Sequence, residues 1–148
     1  MTAPNYRVVL DTNQVVGAGT SWLDHGVPSP DPNTHRRVLI CVAKTHTGLY
    51  SGKVVGEYLE KLVDLGHPPG RTVRMMTYLM GAFSRVTITT RAAPVPSSDP
   101  DDDVFLLCAI DGDADYLISE DYSLTSLKTS YTQFMIGKCG ELVATFGV

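Results

Sequence analysis

Apolar residues along this chain fall into short blocks that switch between two periods. Tyr6 to Leu10 is β-branched and almost continuously apolar, the pattern of a strand covered on both faces, with Asp11 at its C-terminal end. Thr34 to His46 carries Val38, Leu39, Cys41, Val42 and Ala43 at helical spacing, and Gly48 closes that helix before a short strand at Leu49 to Ser51. A second helix starts near Lys53, with a stripe of Val54, Val55, Tyr58, Leu59, Leu62 and Val63, and stops at Gly66 and Pro68-Pro69. A third, Arg71 to Phe83, is expected to bury Val73, Met76, Met80 and Phe83. Val86 to Thr90 alternates as a strand does, and Pro94, Pro96 and two serines then mark a loop. A helix over Pro100 to Ile110, a strand at Tyr116 to Ser119, a short helix from Asp121, a strand at Gln133 to Ile136 and a closing helix near Cys139 complete the pattern. Strands alternating with helices predict an α/β fold around a mostly parallel sheet. Gly17 to Asn33, with three glycines and three prolines, reads as a long surface loop near the site, with Trp22 exposed.

The 148 residues show no internal repeat, low-complexity tract or linker, so a single domain over residues 1–148 is expected. The longest strictly apolar run, Val104 to Ile110, is far below the roughly 20 residues of a membrane-spanning helix, and the N-terminus lacks a signal-peptide core. A cytoplasmic protein with no membrane partner is expected. Cys41, Cys108 and Cys139 are odd in number and far apart, arguing for small core residues over disulfides or a thiolate zinc site. His25, His35, His46 and His67 lack metal-ligand spacing.

The formal charge of -4 conceals an asymmetry. Nine of the sixteen acids lie between Asp99 and Asp121, a stretch without lysine or arginine, and the rest of the chain has five more basic than acidic residues. Val104 to Ile110 and Tyr116 to Ile118 interrupt the acids and must be buried, so this is no solvated tail. Carboxylates fixed at the ends of buried elements repel one another and take up protons unless a cation neutralises them. With no arginine nearby in sequence, a divalent cation is a serious candidate.

Ligands of an open parallel sheet bind beyond the C-terminal ends of its strands. Asp11 and Asp121 follow two such ends, Asp102 lies in the first turn of the acidic helix, and Glu57 sits early in a helix that follows a strand. All four can converge on one rim. Magnesium and manganese favour such oxygen ligands, and a site of this kind suits phosphodiester hydrolysis.

Val8-Val9-Leu10-Asp11-Thr12-Asn13, the Glu57 helix, Asp99-Pro100-Asp101-Asp102-Asp103-Val104-Phe105-Leu106 and Ala114-Asp115-Tyr116-Leu117-Ile118-Ser119-Glu120-Asp121 together resemble a PIN domain, in order and over most of the chain. The resemblance implies a three-layer α/β/α sandwich and a metal-dependent ribonuclease cutting single-stranded RNA. It implies Asp11, Glu57, Asp102 and Asp121 as catalytic and metal-site residues, with Mg2+ or Mn2+ as the cofactor. Asp102 is preferred to Asp101 and Asp103 because Ala109, seven positions on, matches the family's small helix residue. Asn13 and Ser119 match positions that support the site by hydrogen bonding. A toxin of a toxin–antitoxin pair, with an antitoxin protein as partner, is one biological role for this chemistry.

Simpler roles compete for the same residues. Asp99-Pro100 makes a helix cap, Asp101 to Asp103 suit the positive end of the helix, and Asp11 and Asp121 can each cap a turn or helix. Glu57 lies off the centre of its stripe, four residues before Lys61, a favourable surface pair. Under that reading the chain is a non-catalytic PIN-like RNA- or protein-binding module; intact acids at all four positions favour the enzyme. Asp111, Asp113 and Asp115 do not open a calcium loop, since Tyr116 and Tyr122 replace its glycine and closing glutamate. Gly48 to Lys53 is one residue short of a phosphate loop. Met75, Met76 and Met80 read as core. Arg36, Arg37, Lys44, Lys53, Arg71 and Arg74 are, as a group, candidate phosphate contacts. Trp22 and the apolar segment Leu142 to Val148 offer an interface for a homo-oligomer.

Overall fold

A computed structural model describes residues 4–20, 22 and 31–148. The elements run β1 (Arg7–Leu10), α1 (Thr12–Gly19), α2 (Thr34–Thr45), β2 (Thr47–Tyr50), α3 (Gly52–Asp64), α4 (Pro69–Ala82) and β3 (Ser84–Arg85). A 3-10 turn (Pro100–Asp102) then leads into α5 (Asp103–Asp111), followed by β4 (Tyr116–Ile118), α6 (Tyr122–Thr125), β5 (Met135–Gly137) and α7 (Cys139–Phe146). The five strands form one parallel sheet in the order β3-β2-β1-β4-β5, flanked by helices in a three-layer α/β/α arrangement. The winding of the sheet reverses between β1 and β4: the connections after β1 and β2 step one way, and those after β3 and β4 step the other. That reversal opens a crevice at the C-terminal ends of β1 and β4.

Val8, Val9, Leu10, Leu117 and Ile118 are fully buried, as strands covered on both faces must be. Tyr58 of α3 reaches from the helix layer to donate its phenolic hydroxyl to the Leu10 carbonyl, and its ring tilts against Phe105 of α5. Both rings are fully buried. This contact ties α3 and α5 to the residue immediately before Asp11.

Several expectations are corrected. The first residues of the proposed loop at Gly17 belong to α1, a helix the pattern did not reveal because two glycines dilute its apolar face. A Cβ on Gly17 would stand 2.5 Å from the His35 ring, so α1 and α2 approach as closely as they do because that side chain is missing. Residues 21 and 23–30 of that loop, His25 among them, lie outside the described residues. Trp22 is buried against Tyr78, not exposed. On α4 Met76 is buried as expected, and so is Phe83 just beyond the helix, but Thr72, Met75 and Leu79 complete the core face; Val73 and Met80 face outward, as do Leu59 and Val63 on α3. A helical period fits either face when apolar residues nearly encircle the helix, and only packing chooses.

Residues 86–90 form no strand. The partner strand β2 ends at Tyr50 because Ser51 turns to cap α3, accepting from the Val54 N–H. Beyond Val86, the Asp111 carboxylate takes the N–H groups of Thr89 and Thr90 in place of a ladder. The C-terminal segment is likewise engaged within the fold: Leu142 and Phe146 are buried, the latter against Tyr6, His46 and Tyr116, so it is not a free interface. The three cysteines are free, with Cys108 and Cys139 buried.

Tyr58→Phe removes one buried hydrogen bond and leaves the packing intact, and is expected to cost about 1–2 kcal/mol in urea unfolding. An unchanged midpoint would show that the tie to Leu10 carries no stability.

Candidate functional site

The chain entering the crevice from β1 must turn at once into α1, whose first N–H groups have no partner within the helix. Asp11 supplies one: its Oδ1 accepts the Thr12 N–H at 2.7 Å while its Oδ2 accepts the Ser119 hydroxyl at 2.6 Å. Ser119, fully buried at the end of β4, in turn accepts the Asp121 N–H at 3.0 Å. Asp121 caps α6 through the Ser123 N–H at 3.1 Å, and the Ser123 hydroxyl donates to Asp102. Two serines thus relay from Asp11 through Asp121 to Asp102, linking residues far apart in the chain.

The four acids singled out from the sequence line one cleft of about 310 Å³, together with Thr12, Asn13, Glu60, Lys61, Asp64, Asp99 and Asp101. Capping and convergence coexist: Asp11 and Asp121 do cap helices, and Asp99 caps the 3-10 turn through the Asp101 N–H at 3.1 Å. Asp102 makes no cap bond of its own. Of its neighbours, Asp103 turns away to accept the Ser97 N–H at 2.7 Å, and Asp101 also borders the cleft. Asn13 reaches the cleft but bonds none of the four acids; the support expected from it comes from the Thr12 N–H and from Ser123.

Ser123 escaped the sequence reading, although it stands two residues after Asp121 as Ser119 stands two before. Glu60 and Asp64 escaped it too, and Lys61 was read only as a surface partner of Glu57. With Glu57 they follow the spacing of one helical face, a polar stripe along α3 visible in the sequence once that face is known to look into a cleft. Arg36, offered as a phosphate contact, is buried and bound by Asp31 through Nε at 2.6 Å and Nη2 at 2.9 Å.

Burial and crowding both raise the proton affinity of these acids. Burial, opposed by the Ser119 and Thr12 bonds and reinforced by the charges of Asp102 and Asp121, pushes the Asp11 carboxyl up to about 6. Asp102 is raised by burial, against its bond from Ser123, and by Asp121, Asp99 and Asp101. Glu57 is raised by burial and then by Asp101, Glu60, Asp102 and Asp99. Among the described residues, no three histidine, cysteine or acidic side chains are drawn into a ready-made metal cage. The donor set is all oxygen and negatively charged around a cleft with room for water. This fits a hard cation that keeps several waters and takes only one or two carboxylates directly.

With this geometry in view, the sequence matches the PIN domain family over residues 7–123, and the chain belongs to that family. No curated protein matches it in sequence. Among solved structures it is similar to a chain in the crystal structure of VapBC2 from Rickettsia felis bound to a DNA fragment from their promoter. That likeness has a TM-score of 0.55 at 14% identity, covering 88% of this chain and 96% of that one. At that identity the likeness is one of fold.

Because the folded Asp11 binds its proton more tightly than the unfolded chain does, its contribution to stability is complete below about pH 4 and lost as pH rises through about 6. In EDTA, wild-type protein is expected to lose up to about 3 kcal/mol over that range relative to Asp11→Asn, by urea unfolding at stepped pH. Parallel profiles for the two proteins would show that Asp11 carries no such charge strain.

Proposed function

We propose that this PIN-domain protein is a magnesium- or manganese-dependent endoribonuclease hydrolysing phosphodiester bonds of single-stranded RNA. The observation carrying this reading is the gathering of Asp11, Glu57, Asp102 and Asp121 around one cleft at the reversal point of the sheet. A non-catalytic domain needs caps at helix starts, but it does not need Asp102, which caps nothing, held by a serine toward two other acids.

Asp11, Asp102 and Asp121, with Glu57 on the facing wall of α3, are the residues that would hold the ion. A divalent cation bound there supplies the Lewis acidity to ready a water at neutral pH and the positive charge to stabilise the phosphorane-like transition state. The protein's part is positioning. Thr12 and Ser119 fix both oxygens of Asp11, and Ser123 fixes Asp102, so neither carboxylate has to be ordered when substrate arrives. An ion held there would keep Asp11 and Asp102 ionised against their raised affinity for protons.

The same reading extends to biology: the chain acts as the toxin of a toxin–antitoxin pair, restrained by an antitoxin protein. Support comes from the fold shared with a chain of VapBC2. A cytoplasmic setting is consistent with this role, and among the described residues no helix is long and apolar enough to cross a membrane.

Purified protein is expected to cleave single-stranded RNA with Mn2+ or Mg2+ and to lose that activity in EDTA. Asp102→Asn should lower the rate at least about a hundredfold while keeping the wild-type circular dichroism spectrum. Cleavage as fast in EDTA as in Mn2+, or full activity in Asp102→Asn, would overturn the mechanism. Absence of cleavage with either ion would favour the binding-module alternative.

A further inference from the structure

A second cleft opens on the same rim of the sheet, at the ends of β2 and β3. It has a volume of about 390 Å³, and its charged side chains are Lys53, Arg85 and Arg91. No acidic side chain lines it, although the chain as a whole is negative. Among the described residues, none of the three cations closes an ion pair or donates a hydrogen bond. Thr87 and Thr90 add hydroxyls to the wall, and Val104 and Leu107 of α5 form an apolar floor.

Like charges crowded together without partners are unfavourable, and here the fold holds them together. Arg85 extends beside the start of α3, where a Cβ on Gly52 would make only ordinary contact with Nη2, at 3.7 Å. Arg91 is placed by the grip of Asp111 on the preceding residues. Its Oδ2 accepts the N–H groups of Thr89 at 2.7 Å and Thr90 at 2.9 Å, and its Oδ1 accepts the Thr90 hydroxyl at 2.6 Å. Asp111 is thus occupied in holding the segment that leads to Arg91. Lys53 sits one turn of α3 before Glu57, about 6 Å along the helix axis. The cationic cleft begins at β2, the strand next to β1, where Asp11 ends the chain's first strand; neighbouring strands lie about 4.8 Å apart.

We propose that this cleft is a phosphate-backbone subsite for the RNA strand whose scissile bond lies in the carboxylate cleft, with Lys53, Arg85 and Arg91 as its contacts. The inference rests on the nuclease reading for its substrate. A strand crossing a cleft lined by acids needs its neighbouring phosphates held elsewhere, and adjacent unpaired cations meet that need. The contacts are backbone contacts, so they set affinity and register and do not select sequence.

The test uses a short fluorescein-labelled single-stranded oligoribonucleotide bound to Asp102→Asn protein, so that the strand stays intact, in titrations over a range of salt. Adding Arg85→Ala and Arg91→Ala is expected to weaken binding roughly tenfold and flatten the slope of log K against log salt by about 1.4, two contacts at about 0.7 each. Adding Lys128→Ala and Lys138→Ala, an equal loss of charge on the β4–β5 side of the molecule, should leave the slope unchanged. In the otherwise wild-type enzyme the arginine pair should raise KM and spare kcat. Unchanged affinity and slope in the arginine variant, an equal loss in the lysine control, or no binding by the parent would each overturn the subsite. Failure of wild-type protein to cleave, with the arginine-dependent binding intact, would instead remove the nuclease reading and leave the subsite standing.

Discussion

Burial of carboxylates at the C-terminal ends of β1 and β4, reinforced by their mutual repulsion, is the constraint around which this protein is arranged. Asp11 lies buried between two serine- and backbone-mediated bonds, with Asp102 and Asp121 near enough to raise its proton affinity further. Such an arrangement costs stability. It persists because the Ser119 and Ser123 hydroxyls, and the cap bonds at α1 and α6, hold the acids in place from behind. Tyr58 anchors the strand that delivers Asp11, and Phe105 packs that anchor against the helix following Asp102. The core therefore positions the cleft by direct contact.

Charge is divided along the rim in the same way that direction is divided along the sheet. Acids collect where the connections diverge, between β1 and β4, and unpaired cations collect at β2 and β3. This is the spatial form of an asymmetry already present in the chain, with acids concentrated between Asp99 and Asp121 and a basic surplus elsewhere.

Much of this was legible in the sequence because it rests on short-range signals. The β-branched run ending in Asp11, Asp99-Pro100 before an apolar helix, and Leu117-Ile118-Ser119 before Asp121 each marked an element and its end. Together with the resemblance they gave the parallel sheet and the four acids on its rim. What failed depended on distant partners. The alternation of residues 86–90 was that of a strand, but β2 had ended and Asp111 took the backbone donors. The α1 glycines hid a helix whose stability comes from close packing on α2. Trp22 and the C-terminal apolar residues looked free only because their partners, Tyr78 and Tyr6 among them, are remote in sequence. Arg36 looked available until Asp31 was seen to hold it.

In the proposed reading a divalent cation relieves the carboxylate strain, and calorimetric titration of metal-free protein with Mn2+ near pH 6 tests this. Run in buffers of different ionisation enthalpy, the titration should show saturable binding with release of protons, and both should be lost in Asp11→Asn. Binding without proton release, or equal binding by the variant, would contradict the account.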